Sequence, residues 1–313
     1  MTQALLAQFD VCIVSWRTRE LLRACLQTVV GLPAGRVAGQ PEVARVIVVD
    51  NASGDGTVEM VRAEFPQVHL IANEENRGYA AANNQAIRAG DAPFVFLLNP
   101  DTAAGQGALA ALLREMMDDP RVGAVAPQLV LPDGSVERSC RSFPEPAAVL
   151  YDAAGLSRLF PRSEVLGRYR MTYWDHSSRR EVDQPMASAL ALRRAALDEV
   201  GLFDESFPLY FNDVDLCYRL RQAGWRIVFQ PGAKVLHHHG GSTSQARPRA
   251  VLESHRGLVR FYRKHYRGEA RPERKRRVSL PGYWVVVLMA ALTAYPRAAF
   301  VWLAHPGRTR RMP

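Results

Sequence analysis

The chain has 313 residues, 48% of them apolar, which suits one large globular domain or two small ones and excludes a disordered or collagen-like protein. Its four cysteines, Cys12, Cys25, Cys140 and Cys217, stand far apart without a Cys-x-x-Cys pair, which argues against a zinc ribbon or disulfide framework and suits a reducing cytosol. The formal charge of +9 is uneven: residues 246–313 carry 16 Arg and Lys against 3 Asp and Glu, a net +13, leaving −4 for residues 1–245. A basic tail on a mildly acidic body implies an anionic partner, either nucleic acid or a membrane face.

Residues 1–9 lack a basic leader and an apolar core, so no signal peptide is expected. Residues 11–16 read as a first strand. Thr18 can cap a helix with Leu21, Leu22, Cys25, Leu26, Val29 and Val30 on one face. Residues 43–49 form a second strand, followed by a polar loop in which Asp55 caps a helix reaching Phe65. A short third strand at 68–71 leads to a helix that starts around Asn76-Arg77-Gly78 and ends at Gly90. Residues 95–98 are a buried apolar strand ending in Asn99-Pro100-Asp101-Thr102. A helix over 107–117 and a strand over 122–126 follow.

Strand and helix alternate at short spacing, the signature of βαβ units in a parallel sheet. The polar loops after Trp16, Val49, Ile71 and Leu98 therefore share one sheet edge and can converge on one ligand. Pro100 cannot continue a central strand, so Asp101 falls just past a carboxyl end, where a hard cation on a diphosphate would want a carboxylate. The plain alternative is a turn and a helix cap. Asp50, at the end of the second strand, can accept the imide N–H of uracil or thymine, or can simply form a turn. No G-x-G-x-x-G follows the first strand and no P-loop is present, which excludes a common dinucleotide site and a P-loop NTPase.

Residues 131–183 have little periodicity and are expected to form an irregular segment covering the site. Further on, Asp213 and Asp215 stand where a helix begins, with Leu216, Leu220 and Ala223 on one face. Asp213 suits either an N-cap or a general base, and Asp215 a first-turn charge. Residues 231–242 read as a strand ending in His237-His238-His239, of which at most two can face one way.

These stretches, residues 11–16, 48–53, 76–84, 98–102, 201–219 and 233–242, occur in the order in which they resemble family-2 inverting glycosyltransferases of the GT-A fold, and most resemble the bacterial rhamnosyltransferase-like members. The resemblance spans roughly residues 10–242. It implies a mostly parallel central sheet flanked by helices, with a nucleotide-sugar half over about 10–130 and an acceptor and catalytic half over about 131–245. It further implies that Asp50 binds the pyrimidine base, with Ser15, Asn76, Gly78, Asn83 and Asn99 also on the nucleotide. Asp101 and His237 would hold a divalent ion, Mn²⁺ or Mg²⁺. Asp213 would be the catalytic base, with Asp215 and Arg219 on the acceptor side. Two positions depart from the family pattern: Asn99 replaces the first Asp of an Asp-x-Asp, and Asn212 replaces the acid before Asp213.

Residues 246–277 read as a basic amphipathic helix with Val251, His255, Leu258 and Tyr262 along one line. Residues 278–313 form an apolar tail whose longest uninterrupted run, 283–295, is short of the roughly 20 residues a span needs. Basic residues on both sides favour a helix or hairpin in the anionic interface at the cytoplasmic face of the plasma membrane, with a tilted span or a buried core helix as the alternatives. A lipid-linked saccharide acceptor follows from the family and this tail, in cell-envelope polysaccharide synthesis. The donor is expected to be a dTDP- or UDP-sugar, dTDP-rhamnose by resemblance. The competing expectations are a non-catalytic sugar-nucleotide or membrane-binding homologue, suggested by Asn99 and Asn212, and a metal-dependent nucleotidyltransferase. Nucleic acid is not expected, because the basic run adjoins apolar residues and no recognition motif is present.

Overall fold

A computed structural model describes residues 8–30, 42–238 and 247–266, together with Trp284 and Leu288. In its first half β1 (Gln8–Ser15), α1 (Arg19–Val30), β2 (Glu42–Asp50), α2 (Thr57–Glu64), β3 (His69–Ala72), α3 (Gly78–Ala89) and β4 (Phe94–Leu98) alternate without interruption. The strands pair in parallel in the order β3-β2-β1-β4, so the loops that follow them emerge at one edge. Both faces are covered, which is why the strands read as continuous apolar runs. Successive residues alternate between two cores: Phe9, Val11, Ile13, Val48 and Phe96 pack with α1, and Cys12, Ile47, Val49, Val95 and Leu97 with α3.

The second half is less regular. It comprises β5 (Thr102–Ala104), α4 (Gln106–Asp118), β6 (Val122–Val130), β7 (Cys140–Arg141), α5 (Pro146–Ala153), α6 (Leu156–Leu159), β8 (Arg180–Glu181), β9 (Gln184–Pro185), β10 (Ala189–Arg193), α7 (Arg194–Val200), α8 (Asn212–Gln222), β11 (Arg226–His237) and α9 (Arg247–His265). The sheet continues as β4-β10-β6-β11-β5. There β10 runs antiparallel to β4 and β6, β11 is parallel to β6, and β8 pairs with β11. β10 has no counterpart in the sequence reading: its Ala-Leu-Ala-Leu run is short and unpunctuated, and periodicity alone does not mark such a stretch as a strand.

Pro100 ends β4 as expected, but the chain does not leave the sheet. It crosses to the far edge, where Thr102–Ala104 pairs antiparallel with β11. Asp213 is not the N-cap of α8: Phe211 holds that place in the left-handed conformation (φ 68°), and Asp213 lies in the first turn. The basic helix forms as α9, but it buries Leu258, Phe261, Tyr262 and His265 against Phe207, Phe211, Val214 and Tyr218, so it is packed on α8. Of the expected inward line, Leu258 and Tyr262 point in, whereas Val251 and His255 are only half-buried. Residues 239–246 and, apart from Trp284 and Leu288, the tail beyond 266 lie outside the described residues.

Candidate active site

The loops after β1 and β2 are locked together. Ser15 is buried with its hydroxyl 3.0 Å from that of Thr18, and its carbonyl accepts the Asn51 N–H at 2.8 Å. Arg17 donates its N–H to the Ser53 hydroxyl at 2.9 Å. Arg17 and Ala52 both hold positive φ, 54° and 61°, a strained backbone found where a loop is fixed for function. Asp50 is buried at the strand end. Its Oδ2 accepts the Ser53 N–H at 3.0 Å, while its Oδ1 is buried with no hydrogen-bond partner. A buried carboxylate oxygen left unmatched is costly unless something supplies a donor.

The remaining nucleotide candidates divide. Asn76 is exposed at the rim, its Oδ1 accepting from Asn51 Nδ2 at 2.9 Å and from the Gly78 N–H at 3.0 Å. Asn99 is half-buried; its N–H donates to the Ser188 carbonyl at 2.8 Å and its carbonyl accepts the Thr102 hydroxyl at 2.6 Å. Gly78 is explained by packing: at φ 82° a Cβ would lie 3.0 Å from the Pro208 carbonyl oxygen. Asn83 is buried within α3 and donates to the Tyr79 carbonyl at 2.9 Å. Gly78 therefore lets the start of α3 approach the Pro208 backbone, whereas the Asn83 amide bonds within its own helix.

The β4-to-β5 crossing explains how Asp101 meets His237. Thr102 and His237 are register partners, and the His238 N–H donates to the Asp101 carbonyl at 2.8 Å. His237 Nε2 lies 3.6 Å from Asp101 Oδ1. Its Nδ1 is 2.6 Å from Glu137 Oε2 and must donate, because an ionised carboxylate only accepts. Burial pushes the His237 ring down, but the Asp101 and Glu137 carboxylates outweigh it and raise it to about 9. A carboxylate behind a histidine, with the far ring nitrogen turned to a second carboxylate, is the arrangement that orients a metal ligand. Among the described residues no group of three such side chains could hold an ion by itself. The pair Asp101 and His237 fits a cation that takes its other oxygens from a diphosphate and water. Glu137 was missed in the sequence. Its signal was the Asp133-Gly134 turn, which brings Val136 opposite Val130 and so returns the chain alongside β6.

Asp213 is half-buried. Its Oδ1 accepts the Val214 N–H at 2.8 Å, and the Ala187 N–H also bonds it. Burial pushes its carboxyl above the ordinary value, and the two N–H bonds only partly oppose this. Ala187 also accepts the Tyr79 hydroxyl at 3.0 Å, and Ser188 next to it holds Asn99. The short link between β9 and β10 thus ties Asp213 to both α3 and the Asn99–Asp101 turn.

Asp215 and Arg219, expected on the acceptor side, are engaged elsewhere. Asp215 is fully buried. Its Oδ2 accepts Arg219 Nε at 2.8 Å, and its Oδ1 lies 2.7 Å from His265 Nε2 and 2.6 Å from Lys264 Nζ. Burial pushes Asp215 up, but the His265 hydrogen bond and the Arg219 and Lys264 charges hold it at about 2. Arg219 spends its remaining donors on the carbonyls of Val200, Gly201 and Leu202, at 2.6, 2.8 and 2.7 Å. Both residues therefore bind α8 to α9 and to the loop after α7. Asn212 is also structural: its amide donates to the carbonyls of Phe207 and Leu209, which an ionised acid could not do. A cavity of about 240 Å³ bounded by Ser142, Arg168, Arg180, Glu181 and Asp183 contains none of the candidate residues.

The family model described as glycosyl transferase family 2 matches residues 10–171, more than half of the chain. An N-acetylglucosaminyl-diphospho-decaprenol L-rhamnosyltransferase of Mycobacterium tuberculosis is 38% identical over 221 residues, 67% of this chain and 71% of that protein. A pre-mycofactocin glycosyltransferase of the same organism is 33% identical over 201 residues, 62% of this chain and 37% of that protein. Among solved structures, a mannosyltransferase from Pyrobaculum calidifontis in complex with GDP-Man and Mn²⁺ matches with a TM-score of 0.55 at 21% identity, covering 95% of this chain and 74% of its own. GalNAc-T7 with UDP, GalNAc and Mn²⁺ matches with a TM-score of 0.58 at 13% identity, covering 97% of this chain and 58% of its own. At those identities the likeness is one of fold, and it is the GT-A fold that the family resemblance implies. The chain belongs to glycosyl transferase family 2 and is a glycosyltransferase of the GT-A fold.

Proposed function

We propose that this glycosyltransferase moves rhamnose from a dTDP- or UDP-sugar to a lipid-linked saccharide, with inversion at the anomeric carbon. The observation that carries the donor half is Asp50: a buried carboxylate oxygen without a partner, at the mouth of two interlocked loops, matches the imide N–H of a pyrimidine. The sugar and acceptor come from the 38% identical relative, whose name specifies a rhamnosyl transfer to a diphospho-decaprenol saccharide.

In this reading Asp213 takes the proton from the acceptor hydroxyl as that oxygen attacks the anomeric carbon. The raised pKa of its half-buried carboxyl makes it a better base than an exposed aspartate. The Val214 and Ala187 N–H groups hold it in place. The Asn99–Asp101 turn, tied to the same link through Ser188, keeps the donor side in register with Asp213, so that much of the acceleration comes from alignment. Asp101 and His237 would hold a Mn²⁺ or Mg²⁺ ion, with Glu137 orienting the imidazole. Such an ion supplies Lewis-acid stabilisation of charge on the leaving diphosphate. The location that suits this acceptor is the cytoplasmic face of the plasma membrane, with the basic C-terminal residues on its anionic surface. No helix of the described residues is long and apolar enough to cross a membrane.

Calorimetry with dTDP-rhamnose, UDP-glucose, UDP-N-acetylglucosamine and GDP-mannose, with and without Mn²⁺, tests the donor reading. One pyrimidine donor should bind, and Asp50→Ala should weaken it at least tenfold, the cost of a buried hydrogen bond to a charged group. Selective binding of GDP-mannose would overturn the assignment of Asp50.

A further inference from the structure

The folded body exposes large apolar side chains mainly in one place. Leu159, Phe160 and Val165 are 70%, 53% and 63% exposed, and Leu150 on α5 is exposed beside them in sequence. Among the other described residues of the body, only Met117 and Val136 are large, apolar and exposed. Side chains of this size gathered within seven residues mark a surface that something covers.

The local structure makes this stretch a tip. The Phe160 N–H closes α6 on the Leu156 carbonyl, and the Phe160 carbonyl accepts the Ser163 N–H at 3.0 Å, so Phe160-Pro161-Arg162-Ser163 is a tight turn. Arg158, Arg162, Arg168 and Arg170 are all exposed around it. Arg168 pairs with Glu145 and Arg170 with Asp152, whereas Arg158 and Arg162 form no ion pair among the described residues. The tip therefore reads cation, Leu, Phe, Pro, cation. That pattern suits a headgroup layer: the apolar pair reaches below the phosphates while the guanidiniums stay level with them. A protein partner would instead call for an apolar centre depleted of charge.

We propose that residues 158–165 are a membrane-docking tip, with Arg158 and Arg162 on anionic phospholipid headgroups and Leu159 and Phe160 in the outer acyl region. The tip is joined to the active-site side of the sheet. The Tyr169 carbonyl accepts the Ser142 N–H, Arg141 pairs with Gln184 in the β7–β9 ribbon, and three residues further on Ala187 bonds Asp213. The proposal goes beyond the donor and acceptor assignments and does not depend on them.

The test uses the full chain, with neither donor nor acceptor. All four native cysteines are buried, so Phe160→Cys and, on α4, Met117→Cys can each carry a single environment-sensitive fluorophore. On adding phosphatidylcholine–phosphatidylglycerol vesicles, the probe at 160 should shift to the blue and be quenched by brominated acyl chains. The probe at 117 should not respond, and pure phosphatidylcholine should leave both unchanged. Arg158→Glu with Arg162→Glu should weaken vesicle binding roughly tenfold or more, given the attraction of each surface cation to anionic lipid. A probe at 160 that stays as solvent-exposed as the one at 117 while the chain sediments with vesicles would overturn the proposal. Failure of the full chain to bind the anionic vesicles would overturn it too.

Discussion

The four parallel strands β1–β4 and the region from β6 to α9 each carry part of the candidate residues, and they are stabilised differently. In the first, all four strands pair in parallel in the order β3-β2-β1-β4, and the candidate groups sit at or just past the strand ends: Ser15, Asp50, Asn99 and Asp101. In the second, Asp213, Glu137 and His237 are placed by contacts between residues far apart in the chain: Glu137 with His237, Ala187 with Asp213, and His265 and Lys264 with Asp215. The difference teaches that a repeating βα pattern positions the strand-end groups almost by itself, whereas the candidate groups from β6 to α9 depend on a few buried polar links. Breaking those links should therefore hurt the second region more than equivalent changes hurt the first.

The largest effect is expected from Asp213→Asn. Turnover should fall about a thousandfold, within the usual range for loss of a general base, with donor affinity unchanged by calorimetry. Because burial raises the Asp213 carboxyl, wild-type kcat/KM should fall as the pH drops through a value above the ordinary carboxylate range. Next is Asp215→Asn, which leaves Lys264 and Arg219 facing a neutral group in a buried site. Chemical denaturation should show a loss of about 3–5 kcal/mol. Asp215 lies at about 2 rather than 3.8, so its contribution is complete above pH 3.8 and is lost as the pH falls towards 2.

His176 gives the third effect. It is buried, stacked on Trp174 with ring centroids 4.0 Å apart, and its Nε2 accepts the Cys140 N–H at 3.2 Å. Burial lowers it from 6.5 to about 4, so the fold favours the neutral ring. Stability should be complete above pH 6.5 and decline by about 3 kcal/mol as the pH falls to 4, at 1.36 kcal/mol per pH unit. His176→Phe should flatten that slope in a pH series of urea melts. Glu137→Gln should be milder: it keeps a hydrogen bond to His237 but removes the charge, and the Mn²⁺ concentration for half-maximal activity should rise about 10–100-fold. The smallest effect belongs to the regular half. Gly78→Ala combines φ 82° with a 3.0 Å approach to Pro208, and should cost about 1–2 kcal/mol in a thermal melt.

What could be read from the sequence divides along the same line. The strands 11–16, 43–49 and 95–98 announce themselves as apolar runs punctuated by turn residues, and Asp50 and Asp101 are legible because one closes its strand and the other stands just past the Pro100 that ends β4. β11 and its terminal His237 are legible as a strand and its end, whereas their closeness to Asp101 follows only from the family resemblance and not from any local pattern. That contact depends on the crossing from β4 to β5, three residues long and without periodicity. Glu137 lies in the stretch 131–183 that lacks periodicity, and Ala187 just beyond it acts through its backbone, which leaves no trace in residue type. Asp215 and Arg219 are placed on the acceptor side by resemblance alone, and the contacts of Asp215 with α9, which begins more than 25 residues later, leave no local pattern in the sequence.

The central claim is that Asp213 drives an inverting transfer from a pyrimidine nucleotide sugar. The most direct test incubates the full chain with dTDP-rhamnose, Mn²⁺ and a short-chain N-acetylglucosaminyl-diphospho-lipid, and follows both dTDP release and the anomeric configuration of the product by NMR. Wild-type protein should release dTDP in step with a disaccharide of inverted configuration, and Asp213→Asn should release almost none. Retained configuration, or an Asp213→Asn protein as fast as wild type, would contradict the account.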